Sequence, residues 1–153
     1  MMEPVGGRME ERGSEYGRIF KRDLFLLLLD LEVKRARRYQ NFLSLLILKL
    51  VQIHHGNNGD GLRASHKILA NLLAEDMRET DIIGSLGEDK LVVLLPYADL
   101  SAGNIVRFRF ETLLKYYDLK NNGFEAVVRQ ICFPANGTNT IDLLKKALEE
   151  DMV

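Results

Sequence analysis

Leu43-Ser44-Leu45-Leu46-Ile47-Leu48-Lys49-Leu50-Val51, with the breaker cluster Gly56-Asn57-Asn58-Gly59-Asp60-Gly61 soon after it, is the stretch from which the fold is read. A short run that is apolar nearly throughout and bounded by turn formers is the pattern of a central strand covered on both faces. Downstream, Leu62 to Arg78 places Leu62, Ile68, Leu69, Leu72, Leu73 and Met77 on one side, with Asp60 or Gly61 available as a cap, and predicts an amphipathic helix. Ile82 to Leu86 and Lys90 to Leu95 are two apolar runs around a polar turn, the pattern of a hairpin, and Pro96 stops the second. Asp99 or Ser101 opens a helix running to about Tyr117, with Ile105 and Phe108 expected to point inward. The turn signal Asn121-Asn122-Gly123 then introduces a strand over Phe124 to Phe133, a loop over Pro134 to Thr138 and a last helix over Ile141 to Glu149.

Upstream of the central strand, Phe20, Leu24, Leu27, Leu28 and Leu31 recur at helical spacing between Ser14 and Tyr39. The basic end of that stretch, Lys34, Arg35, Arg37 and Arg38, complements a helix dipole and reads as a solvated helix end. Residues 1–13 are expected to be a disordered leader, 14–40 an N-terminal helix and 41–153 the domain proper. The element order α-β-α-β-β-α-β-α predicts an α/β sandwich with mixed strand directions.

Composition narrows the function classes. At 153 residues, 46% hydrophobic and 28% charged, the chain has the size of one globular domain. Twenty-one basic and 22 acidic residues leave a net charge of -1, so no global field favours nucleic acid, and an anionic ligand must be met by a local cluster. The runs Leu24 to Leu29 and Leu43 to Leu48 fall far short of the ~20 residues that span a bilayer, so no membrane insertion is expected. With the single Cys132 in an apolar strand pattern and no apolar leader, the expected location is the cytoplasm. His54, His55 and His66 read as ordinary polar residues rather than metal ligands, and Tyr116 and Tyr117 as helix-end packing residues.

Several segments together resemble the diguanylate cyclase (GGDEF) family. They are Glu32 to Tyr39, Leu43 to Leu48, Arg78 to Asp81, the hairpin Gly87-Glu88-Asp89-Lys90-Leu91, Val92 to Pro96 and Phe133 to Thr138. The resemblance covers roughly Glu32 to Leu148 and implies a nucleotidyl-cyclase or palm-like fold, a mixed central sheet flanked by helices, preceded by an N-terminal helix. The family condenses two GTP molecules into cyclic di-GMP with a metal held by a first-strand acid and a hairpin acid. Here Lys49 stands at the first-strand acidic position, and the hairpin reads Gly-Glu-Asp-Lys-Leu in place of Gly-Gly-Asp-Glu-Phe. An ammonium does not ligate magnesium, and Glu88 crowds and repels nucleotide phosphates where the family has glycine. Against the family pattern, Lys49, Glu88 and Lys90 therefore imply a degenerate member that is not an enzyme, with no catalytic residue, metal or cofactor.

Asn57 matches the family's guanine-contacting asparagine in register, although as a loop residue beside glycine it also reads as turn chemistry. The resemblance further implies that Arg78 and Asp81, an Arg-x-x-Asp pair, form an inhibitory-type site for cyclic di-GMP, with Arg109 as a second arginine. A guanidinium offers paired donors to phosphate or to a guanine edge, and a carboxylate accepts from the opposite edge. The same pair also reads as a surface ion pair at a helix end. The expected activity is thus cyclic di-GMP reception relayed to an unidentified protein partner, with a second copy of the chain a further candidate partner. The alternative is a nucleotide-independent protein–protein interaction module.

Overall fold

The computed structural model describes residues 18–53 and 59–149. Five strands, β1 (Ile19–Phe20), β2 (Leu43–Gln52), β3 (Ile82–Gly87), β4 (Lys90–Pro96) and β5 (Phe124–Phe133), form one sheet in the order β1-β3-β4-β2-β5. Among the described residues, four α-helices flank it: α1 (Arg22–Tyr39), α2 (Gly59–Asp76), α3 (Leu100–Leu114) and α4 (Thr140–Leu148). β2 runs antiparallel to both β4 and β5, β3 antiparallel to β4, and β1 parallel to β3. The mixed α/β architecture and the β3–β4 hairpin are those expected from the hydrophobic pattern.

Strand alternation divides the core into two. Leu46, Leu48, Leu50, Leu91, Val93 and Leu95 face Leu69, Leu73 and Phe110 of α2 and α3. Leu45, Ile47, Val92, Leu94 and Ile131 face Phe25, Leu29 and Val33 of α1 and Leu143 and Ala147 of α4. A strand buried on both sides needs apolar residues at both parities, which is why Leu43 to Leu48 reads as a continuous run. Asp99 is the N-cap of α3 and its carboxylate accepts from the Ala102 N–H at 2.8 Å, as the helix-start signal predicts.

Several expectations are corrected. The residues expected at the start of the first helix include Ile19 and Phe20, which instead pair in parallel with Ile83 and Gly84 on the sheet edge, so the helix begins at Arg22. Gly84 lets α1 pack closely on β3, since a Cβ there would run into the ring of Phe25. The buried stripe of α1 is Phe25, Leu29, Val33 and Ala36, while Leu24, Leu27 and Leu31 are exposed. In α3, Gly103, Val106 and Phe110 are buried and Ile105 and Phe108 point outward. Gly103 has no room for a side chain because Gln130 and Ser44 occupy that space, and this close approach orients the helix. Tyr116 and Tyr117 are exposed rather than packed.

Candidate functional site

Arg78 follows the C-terminal end of α2 and Asp81 precedes β3, so a four-residue turn carries the pair. The turn is closed from both sides: the Arg78 N–H donates to Asp81 Oδ2 at 2.8 Å and the Asp81 N–H donates to the Arg78 carbonyl at 3.0 Å. Asp81 is buried, 8% exposed, whereas Arg78 is exposed. The carboxylate therefore spends an oxygen on organising the backbone while the guanidinium is left at the surface.

Arg18 carried no signal in the sequence, yet it holds this region together. Its guanidinium donates to the carbonyls of Ala74 at 3.1 Å, Met77 at 3.0 Å and Asp81 at 3.0 Å, and also to that of Arg78. A helix leaves its last carbonyls without partners, and the one planar fork satisfies that of Ala74 together with those of Met77, Arg78 and Asp81 just beyond the helix. Arg109 reaches the same region from α3, donating through Nε and Nη2 to Asp76 Oδ2 at 3.2 and 3.1 Å. Three of the sequence-selected residues thus lie around one end of α2, although Arg109 is already engaged by Asp76.

The hairpin forms the second region. Lys49 and Lys90 are register partners across β2 and β4, with Gly87 closing β3 opposite Lys90 and Glu88 and Asp89 in the turn. Lys90 is buried, and its amine is pushed below its usual value first by burial, then by Lys49, Arg129 and Arg22, against the opposing pull of Asp89. A cleft of about 750 Å³ opens beside the turn, lined by Lys21, Arg22, Arg63, His66 and Lys67 together with Ser85, Leu86 and Glu88. Burial holds the His66 imidazole below its ordinary value, and Glu88 acts in the opposite sense. Asn57, with His54 and His55, lies outside the described residues.

The family's metal does not fit the side chains present at this end. Magnesium needs hard oxygen ligands. The strand register opposes two ammonium groups there, and among the described residues no group of three or more His, Cys, Asp or Glu side chains is placed to hold a metal ion. Nor, among them, is any helix long and apolar enough to cross a membrane.

Comparison with known proteins adds to this geometry. The family described as diguanylate cyclase, GGDEF domain matches residues 16–150. No curated protein matches the sequence. Among solved structures, a DGC protein from Thermotoga maritima is similar with a TM-score of 0.72 and 14% identity, over 87% of this chain and 95% of that one. The active GGEEF domain of a diguanylate cyclase from Vibrio cholerae has a TM-score of 0.68 and 12% identity, over 84% of this chain and 86% of that one. The GGDEF domain of DgcB from Caulobacter crescentus, solved in complex with c-di-GMP, has a TM-score of 0.64 and 11% identity, over 84% and 78%.

These findings overturn the expectation that the chain is not an enzyme. That expectation weighed Lys49, Glu88 and Lys90 alone, whereas the match extends over residues 16–150 and is to a family of cyclases, with a Vibrio cholerae domain described as active among its structural neighbours. Substitution at individual ligand positions alters a local charge pattern without displacing the strands, helices and hairpin that define the family. From its N-terminal strand to its last helix, this chain belongs to the diguanylate cyclase, GGDEF-domain family.

Proposed function

We propose that this chain is a cyclic di-GMP signalling domain that binds the dinucleotide on the surface around Arg78, Asp81 and Arg109 and relays its presence to a protein partner. The observation that carries this reading is the preorganised turn. Asp81 and Arg18 fix the backbone from within, so the exposed Arg78 guanidinium is presented from a rigid base. A planar, always-charged fork suits both a phosphate and a guanine edge, and rigidity lowers the entropy lost on binding. Arg109 adds a second guanidinium on the facing helix, with Asp76 holding its orientation.

Isothermal titration with cyclic di-GMP tests the assignment. Wild type should bind with 1:1 or 1:2 stoichiometry, and Arg78→Ala should weaken binding by about tenfold or more, the worth of a charge-assisted hydrogen-bond pair. Equal binding by wild type and Arg78→Ala would remove Arg78 from the site. A thermal shift on adding the dinucleotide should accompany binding to the native state.

A second reading, an interaction module independent of nucleotide, is favoured by a different observation. Leu24, Leu27 and Leu31 form an exposed stripe along α1. In that reading a partner protein covers these leucines, and titration with cyclic di-GMP gives no heat.

A further inference from the structure

β5 ends the sheet, so among the described residues one side of its backbone has no neighbouring strand. Its register with β2 runs without a shift from Leu43↔Phe133 to Gln52↔Phe124. In an antiparallel pair, residues alternate between those that bond to the partner strand and those whose N–H and C=O point the other way. The Ile53 N–H donates to the Gly123 carbonyl at 2.8 Å, which sets the odd-numbered positions of β5 toward β2. The even-numbered positions face outward, and both ends of that edge are closed. There the Phe124 N–H donates to the Leu119 carbonyl at 3.2 Å, and the Cys132 N–H to Asn136 Oδ1 at 2.8 Å. Between them, the outward backbone groups of Ala126, Val128 and Gln130 meet no partner among the described residues.

An open strand edge is a template for another strand, and charged side chains along it ordinarily keep strands apart. Here the charges stand in an order that complements itself. Exposed Glu125 and half-buried Val127 and Arg129 share one face of β5. A two-fold axis through Val127 sets Glu125 against Arg129 of a second, antiparallel copy, and Val127 against Val127. Moving the axis to Ala126 or Val128 would leave Glu125 opposite Val127 or Ile131 instead. The Arg129 guanidinium donates to the Lys146 carbonyl at 2.8 Å, which uses one of its five donors. That bond places α4 at the Arg129 end of β5, where Leu143 and Ala147 pack with Ile131 and Phe133. The axis therefore carries the two copies of α4 to opposite ends of the junction. On the α3 side, a cleft beside Glu111, Phe124, Glu125 and Ala126 leaves the other end of the strand open.

We propose that the outer edge of β5 is an interface for a second copy of this chain, joining two five-stranded sheets through antiparallel β5 pairing centred on Val127. Ala126 and Val128 of each copy exchange about four backbone hydrogen bonds across the axis. Glu125 and Arg129 fix the register, since opposite charges on facing strands stabilise a pair and like charges destabilise it. The contact is isologous, so it closes at two copies and consumes the edge that would otherwise recruit further strands. It involves neither the turn of Arg78 and Asp81 nor the leucines of α1, so it stands or falls independently of both.

Sedimentation velocity of the full chain over a concentration series should show monomer passing to dimer. Glu125→Arg opposes two cations across the axis and Arg129→Glu two carboxylates, and each should weaken the dimer about tenfold or more. An equal mixture of the two variants should dimerise like wild type, because every charge then meets its opposite on the neighbouring copy. Amide hydrogen exchange gives the local reading. The Ala126 and Val128 amides should slow as concentration rises, while those of Val127 and Arg129, turned toward β2, should not change. If thermal melting shows that Arg129→Glu does not fold, Glu125→Arg and the exchange of Ala126 and Val128 decide the matter. Wild type that stays monomeric, a dimer that withstands Glu125→Arg, or Ala126 and Val128 amides indifferent to concentration would overturn the proposal.

Discussion

The turn after α2 and the turn of the β3–β4 hairpin are both short, polar and close to the sheet, yet they resolve charge in opposite ways. At Arg78 to Asp81 the ionic groups are matched: Asp81 accepts from a backbone N–H, Arg18 donates to carbonyls, and Arg109 meets Asp76. At the hairpin, strand pairing brings Lys49 against Lys90, with Arg22 and Arg129 close enough to act on Lys90. Local hydrogen bonding decides the first arrangement and sheet register imposes the second. A turn whose charges are matched by hydrogen bonds gains order from them, while strand register places like charges side by side whatever they cost.

The largest effect expected from breaking the matched side is that of Arg18→Ala. Losing the fork leaves several partly buried carbonyls without donors, a cost of about 2 kcal/mol in urea denaturation. Cyclic di-GMP binding should weaken with it, although Arg18 need not touch the ligand. Unchanged stability would show that water replaces the fork and that the turn is not held by it.

On the crowded side the expected change has the opposite sign. The Lys90 amine in the folded chain loses its proton below its usual value of 10.5, so between that lowered value and 10.5 the unfolded chain holds more protons. Stability of the wild type therefore rises with pH across that window. Lys90→Met should be more stable than wild type at neutral pH, and the advantage should shrink as pH climbs toward 10.5. Thermal melts of both proteins at stepped pH would show it; parallel curves would mean that neither burial nor the cations Lys49, Arg129 and Arg22 burden Lys90.

The smallest effect belongs to Arg109→Ala. Its pair with Asp76 is partly exposed, and such pairs contribute ~0–1 kcal/mol, so the melting temperature should hardly move. Cyclic di-GMP affinity should nonetheless fall severalfold. A change in stability without a change in affinity would make Arg109 a structural partner of α2 alone.

Much of the architecture was legible because it depends on local chemistry. Leu43 to Leu48 reads as a doubly buried strand, Asp99 or Ser101 as a helix start, and the runs around Gly87 to Asp89 as a hairpin, since each needs only neighbouring residues to be recognised. The faces of α1 and α3 were not legible in the same way. Leu24, Leu27 and Leu31 satisfy helical spacing as well as Phe25, Leu29 and Val33 do, and spacing does not say which stripe meets the sheet. Ile105 and Phe108 misled for the same reason, with the close approach of Gly103 to Ser44 and Gln130 orienting α3 instead.

For the sites, residue type and short-range spacing determined that Arg78 and Asp81 lie together at the end of a helix and that lysines stand at two strand positions of the hairpin end. Tertiary structure alone decided what those residues meet. Arg18 reaches the α2 turn across some 60 positions of chain, Arg109 arrives on another helix, and the pairing of β2 with β4 sets Lys49 against Lys90. The physical reason is range: caps, turns and periodicity act over a few residues, whereas charge complementarity and burial depend on which distant elements the packed core brings together.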